Sequence, residues 1–147
     1  MTQDEYRCLI YRIGDGLYAS PLLSIREVLE YQTPKFMPNM VRHFSGVINV
    51  RGAIVGVLDL RIKFGLDGTT GSRTSMLLCD TEKGALAAIV DRVESVHEFS
   101  TTDVDLKPAV QSKMEQQYLI GIGRKAESLV TIIDLHRSLT ESEFKAA

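Results

Sequence analysis

The residues able to do chemistry in this chain are few and scattered. Arg51 stands in Asn49-Val50-Arg51-Gly52, where Asn and Gly mark a tight turn because both tolerate positive φ. A guanidinium on a rigid turn can make paired bonds to a carboxylate or to carbonyls, a chemistry that anchors protein interfaces. An exposed or internally paired arginine is the plain alternative. Asp59 and Asp134 each follow an apolar run and open a short Leu-containing segment, where an aspartate N-caps a helical turn by accepting backbone N–H bonds. Cys8 and Cys79 both lie inside apolar runs and read as buried reduced thiols, with no CxxC spacing. His43, His97 and His136 are far apart and form no metal-ligand pattern. No GxSxG occurs. The stretch Gly65–Ser72 lacks the Lys-Ser/Thr ending of a phosphate-binding loop and reads as a flexible surface loop. The chain offers no nucleophile–base pattern, no cofactor motif and no metal site, so an enzyme is disfavoured.

The elements that must position Arg51 are short strands. Apolar, β-rich runs cover Tyr6–Ile13, Ala53–Leu58, Thr74–Cys79, Ala85–Val90, Val93–Phe99, Tyr118–Ile122 and Ser128–Ile133, with turn signals at Gly14-Asp15-Gly16 and Lys83-Gly84. Gly56 interrupts one run, where a bulge or a close approach is expected. Residues 59–64 and 134–139 read as helical turns. Many short strands without a long amphipathic helix imply an all-β barrel or sandwich.

The chain also repeats itself. A shift of 75 places Gly46 on Gly121, Val55 on Val130, Asp59 on Asp134 and Leu60 on Leu135. A shift of 68 places Gly16 on Gly84, Ala19 on Ala87, Ile25 on Val93, Val28 on Val96 and Glu30 on Glu98. The expectation is two similar small barrels, with pseudo-repeat subdomains at about 16–65 and 84–139, the second carrying a longer link at 100–117. Neither half would be well stabilised alone at about 70 residues, so the two should pack tightly, with the terminal strands exchanged between barrels. Arg51 has no counterpart: the second copy reads Arg124-Lys125-Ala126-Glu127 there.

With 147 residues, 44% hydrophobic and 24% charged, one ordinary domain is expected. A net charge of −2, no tryptophan and 7% aromatics argue against nucleic acid. No apolar run nears the roughly 18 residues of a spanning helix, and the acidic start Met1–Glu5 is unlike a signal peptide. A soluble cytoplasmic chain, not inserted in a membrane, is expected.

Gly46-Val47-Ile48-Asn49-Val50-Arg51-Gly52, followed by Ala53 to Gly65, strongly resembles the central signature of CheW-type chemotaxis coupling proteins. Tyr11–Asp15, Ile25–Val28, Ala87–Val93 and Tyr118–Gly123 resemble further family segments, so the likeness covers about Tyr6 to Leu139. The resemblance implies a single CheW-like domain over residues 1–147, made of two intertwined SH3-like five-stranded barrels. It implies a non-catalytic adaptor without cofactors, joining the helical hairpin tips of methyl-accepting chemoreceptors to the regulatory domain of a CheA-type histidine kinase. Location follows: cytoplasmic, at the inner face of the membrane through receptor arrays. By position, Ile25, Glu27, Val28, Asn49, Arg51 and Gly52 are implied to face the receptor. Ser45, Gly46, Ile54 and Val110 are implied, on weaker matches, to face the kinase. For Ile25 and Val28 plain core packing is the competing reading. Leu29-Glu30 replaces a frequent Arg-Gly, and Gly56 stands where proline is common, departures consistent with an adaptor of a pilus or gene-regulatory chemosensory pathway. A small ligand-binding barrel is the distant alternative.

Overall fold

A computed structural model describes residues 1–106 and 117–140. Eleven strands lie among the described residues: β1 (Arg7–Ile13), β2 (Gly16–Pro21), β3 (Glu27–Glu30), β4 (Phe44–Val50), β5 (Ala53–Asp59), β6 (Ser75–Thr81), β7 (Gly84–Val90), β8 (Arg92–Glu98), β9 (Val104–Asp105), β10 (Leu119–Lys125) and β11 (Ser128–Ile133). Helical turns α1 (Leu60–Lys63) and α2 (Leu135–Thr140) follow β5 and β11. Asp59 Oδ1 accepts the Arg61 N–H at 3.0 Å and Asp134 Oδ1 accepts the Arg137 N–H at 3.0 Å, so both aspartates cap as their positions predict.

One sheet runs β3-β6-β7-β5-β4 and the other β8-β1-β2-β11-β10-β9. The sheets are the walls of two SH3-like barrels, called here barrel one and barrel two; the sixth strand of the second, β9, is only two residues long. The repeat is carried into the pairing register. Val28 opposes Leu77 in barrel one, and 68 positions away Leu9 opposes Val96 in barrel two. Val57 runs parallel to Ala87, and Ile132 runs parallel to Ala19. Both long hairpins shift register at one place, between Phe44 and Gly46 and between Leu119 and Gly121.

The copies and the barrels do not coincide, however. β2 lies within the first repeat span, 16–65, yet pairs with β11; β7 lies within the second, 84–139, yet pairs with β5. Each copy donates one strand to the other's barrel, paired there with β1 or β6, which lie outside both spans. The physical reason is the core. Leu9, Tyr11 and Ile13 of β1 meet Leu77 and Cys79 of β6, with Leu58, Leu60, Ile133 and Leu135, in one cluster shared by both barrels. Smaller clusters fill each barrel: Ile48, Val55, Val57 and Met76 in one, Cys8, Ile10, Val130 and Ile132 in the other. At about 1.5–3 kcal/mol per large apolar side chain buried, the shared cluster is worth more than either barrel's own. Halves of this size gain most by burying surface against each other.

Buried polar groups lock the junction. Arg61 is 2% exposed. Its guanidinium meets Asp59 at 3.0 Å through Nε and Nη2, Asp91 Oδ1 at 3.1 Å and the Thr69 carbonyl at 2.7 Å. Asp91 Oδ2 in turn accepts the Gly14 N–H at 2.6 Å. One arginine thus ties α1 to the link between β7 and β8 and, through it, to the β1–β2 turn. It also holds the Gly65–Ser72 loop at Thr69. That loop is exposed but anchored, rather than free as its composition suggests. Lys63 Nζ donates to the Ser138 carbonyl and lies 4.4 Å from the Tyr118 ring centre, a second tie from α1 to α2.

Candidate functional site

The β4–β5 hairpin turns on two residues, Arg51 and Gly52, since Val50 pairs with Ala53. Both have positive φ, 49° and 90°. A two-residue turn of this hand matches the right-handed twist of the strands it joins. Gly52 adopts it freely, and Asn49 Oδ1 accepts the Gly52 N–H at 2.9 Å. An arginine in the left-handed region costs about 1–2 kcal/mol. The turn therefore presents its guanidinium from a rigid, strained position.

Two side chains far apart in sequence meet there. Arg51 Nη2 donates to Glu27 Oε1 at 2.5 Å and Nη1 to Glu27 Oε2 at 3.2 Å, a forked pair between the hairpin tip and β3. The Arg51 side chain is 62% exposed, so the pair adds little to stability. The hydrogen bonds from Arg51, and then its charge, hold the Glu27 carboxyl below its ordinary range; the arginine's is raised in return. What the arrangement provides is recognition: a planar donor fork and a carboxylate side by side, open to solvent, with Val28, the next residue of β3 and 46% exposed, on the opposite face of the strand.

Not every residue singled out by position is free to bind. Ile25 is half-buried and packs against the shared core, so core packing describes it. Gly46 is buried, with φ 135°, and a Cβ there would overlap the Lys35 carbonyl. Lys35 forms a bridge to Val47, accepting its N–H at 3.0 Å and donating its own at 2.8 Å, which is why only glycine fits. Ser45, half-buried, lies beside Gly46, whereas Ile54, 69% exposed, opposes Asn49 near the tip. The residues implied to face the kinase thus sit at opposite ends of one hairpin. Val110 falls outside the described residues. Of the bulge and the close approach expected at Gly56, it is a close approach that is seen: the register shift lies on β4, and Leu86 and the Phe44 ring come within 3.0 and 3.3 Å of where a Gly56 Cβ would be.

Two apolar residues escaped the sequence reading. Phe36, 76% exposed, and Met37 follow Lys35 on the link to β4, held out by that bridge. Their signal was two apolar side chains between Pro34 and Pro38. Burial pushes the Cys8 and Cys79 thiols up to about 12, which leaves them protonated at neutral pH. Among the described residues no group of three or more His, Cys, Asp or Glu could hold a metal ion, and no helix is long and apolar enough to cross a membrane.

The CheW-like domain family model matches residues 7–143. Chemotaxis protein CheW from Helicobacter pylori is 30% identical over 128 residues, covering 86% of this chain and 77% of its own. Probable chemotaxis protein CheW from Rhizobium etli is 24% identical over 148 residues, 100% of this chain and 96% of its own. The scaffolding protein TtCheW from Thermoanaerobacter tengcongensis has the same fold, with a TM-score of 0.82 at 21% identity over 95% of this chain and 97% of that one. This chain belongs to the CheW-like domain family, the non-catalytic coupling adaptors of chemotaxis.

Proposed function

We propose that this adaptor joins the cytoplasmic helical hairpin tips of chemoreceptors to the regulatory domain of a CheA-type histidine kinase, in the cytoplasm beneath the receptor membrane. The observation that carries the receptor half is the solvent-open meeting of Arg51 with Glu27, with exposed Val28 the next residue along β3. A paired charge open to solvent suits the polar flank of an amphipathic helical hairpin, whose side chains exchange bonds with the fork, while exposed Val28 at the same strand edge offers apolar contact. Asn49 and Gly52 act by holding the turn. The kinase half rests on Ile54 and on half-buried Ser45, joined by Phe36 and Met37 on the adjoining link, while buried Gly46 acts only by admitting the Lys35 bridge. Interfaces of this size are individually modest, and array geometry multiplies them.

Co-sedimentation with purified receptor signalling fragments and the kinase tests both halves. The folded chain is expected to join each partner. Arg51→Ala should weaken receptor association by about tenfold or more while changing unfolding free energy by no more than about 0.5 kcal/mol. Folded protein that joins neither partner overturns the proposal; a large stability loss in Arg51→Ala makes that residue structural.

A further inference from the structure

The chain crosses between barrels twice, and the two crossings are held by related positions with different chemistry. Arg61, the second residue of α1, grips the crossing from β7 to β8 at Asp91. Shifted by 75, the second residue of α2 is His136, and its Nε2 lies 2.9 Å from the Ser24 carbonyl, on the crossing from β2 to β3. Asp91 itself shifts by 68 onto Leu23, next to Ser24. A carbonyl only accepts, so the His136 Nε2 carries the proton. Arg61 acts through buried ion pairs, whereas His136 acts through this one bond at the edge of a crevice of about 340 Å³ lined by Pro21, Leu23, Ile120 and Leu135.

The residues just beyond Ser24 are Ile25, Arg26, Glu27 and Val28. Within the crossing, the Ser24 hydroxyl bonds Pro21 and the Ile25 N–H bonds Leu22, both local contacts. The next anchor onto the barrel is the Arg26 N–H to the Leu78 carbonyl at 2.8 Å. His136 therefore adds, from the far half of the molecule, a tie on the crossing itself, two residues before the Arg26 anchor at the start of β3. Resting on the reading of the β3 face as the receptor surface, the geometry points to His136 as a positioning residue for receptor binding. It touches no partner; it holds the Ser24 carbonyl so that Glu27 and Val28 are presented to one.

The test measures the affinity of wild type, Arg51→Ala, His136→Ala, His136→Phe and His136→Gln for a receptor signalling fragment and for the kinase, together with amide hydrogen exchange across residues 22–30. His136→Phe keeps the ring volume over the crevice and removes the bond, and it carries the test if His136→Ala does not fold. Gln keeps an N–H donor. The expected result is that the Phe variant binds the receptor fragment roughly fivefold more weakly, the worth of one lost neutral hydrogen bond. It exchanges faster at Arg26–Val28 and binds the kinase as wild type does, while His136→Gln recovers receptor binding. Wild-type receptor affinity in His136→Phe overturns the inference, as does an equal loss toward both partners. If wild type fails to bind the receptor fragment, or Arg51→Ala binds it undiminished, the receptor reading fails instead. The exchange result then stands alone, and unchanged exchange at Arg26–Val28 in His136→Phe still overturns the clamp.

Discussion

At the start of β3, Arg26 pairs with Asp80 at 3.1 Å; 68 positions on, Glu94 pairs with Arg12 at 2.9 Å, the same contact with its signs reversed. The two barrels share wiring to the level of single backbone pairs and differ in the chemistry hung on it. The tip residues Arg51 and Ala126 both have positive φ, 49° and 54°, yet only Arg51 carries a charged fork, and Ser95 stands where its partner Glu27 would be. The crossings are gripped by Arg61 in one copy and His136 in the other. Backbone demands have preserved the repeat; side chains facing solvent or the junction have been free to diverge, and barrel one has kept the charged tip.

The largest test of that asymmetry lies at the crossings. Arg61→Ala leaves Asp59 and Asp91 facing each other without their cation, and removing one partner from a buried charge network costs about 3–5 kcal/mol. His136→Ala breaks one neutral bond at a half-buried site and should cost about 1 kcal/mol. Denaturant unfolding of both variants decides: equal losses would show that the two grips are energetically alike and the comparison is superficial.

A smaller difference is expected where the long hairpins shift register. Gly46 and Gly121 occupy equivalent positions, and each faces a carbonyl of the neighbouring link, Lys35 and Asp105. A Cβ on Gly121 would meet the Asp105 oxygen at 2.7 Å, and β9, which carries that oxygen, is two residues long and able to shift. Gly46 adds a φ of 135° that no other residue adopts without strain. Gly46→Ala should therefore cost more than about 2 kcal/mol and Gly121→Ala about 1 kcal/mol. A reversed order in thermal unfolding would mean that the bridge at Lys35 is the looser of the two.

Much of this was legible from residue order. The repeat at 68 and 75, the two aspartate caps and the turn at Arg51-Gly52 all depend on local rules: apolar alternation, Asp at a helix start, Asn and Gly at a turn. Three features were not. Residue order suggests exchange of the terminal strands, but the reciprocal passage of β2 and β7 comes from a core assembled across more than 100 residues, which no window of the sequence contains. β3, Glu27–Glu30, is four residues with one exposed valine, too short to show alternation, and reads as a link. Arg61 was hidden by its type: a charged residue after an Asp cap reads as solvated surface, and its burial depends on Asp59 together with Asp91, which arrives from the link between β7 and β8. The Glu27–Arg51 pair lies between these cases. Both residues stand out by position, but their contact is a property of barrel closure.

That pair provides the finest test, because it compares a tip with a partner against one without. Glu27 sits on the surface and its carboxyl is held below the ordinary value, about 4.3, by the hydrogen bonds and charge of Arg51. A depressed folded-state pKa contributes stability that is present above the unfolded value and lost as pH falls through the folded one. The pairing thus holds at neutral pH and is lost only in acid, below the ordinary carboxylate range. A carboxyl-resolved NMR titration should find Glu27 below its ordinary value in wild type and back at that value in Arg51→Ala. Adding Ala126→Arg to the second tip should leave Glu27 unmoved, since Ser95 there offers no carboxylate and Glu27 belongs to the other barrel. If Glu27 titrates normally in wild type, the fork is open in solution. The receptor surface is then two independent charges and exposed Val28, and the contrast between the tips reduces to the presence of Arg51 alone.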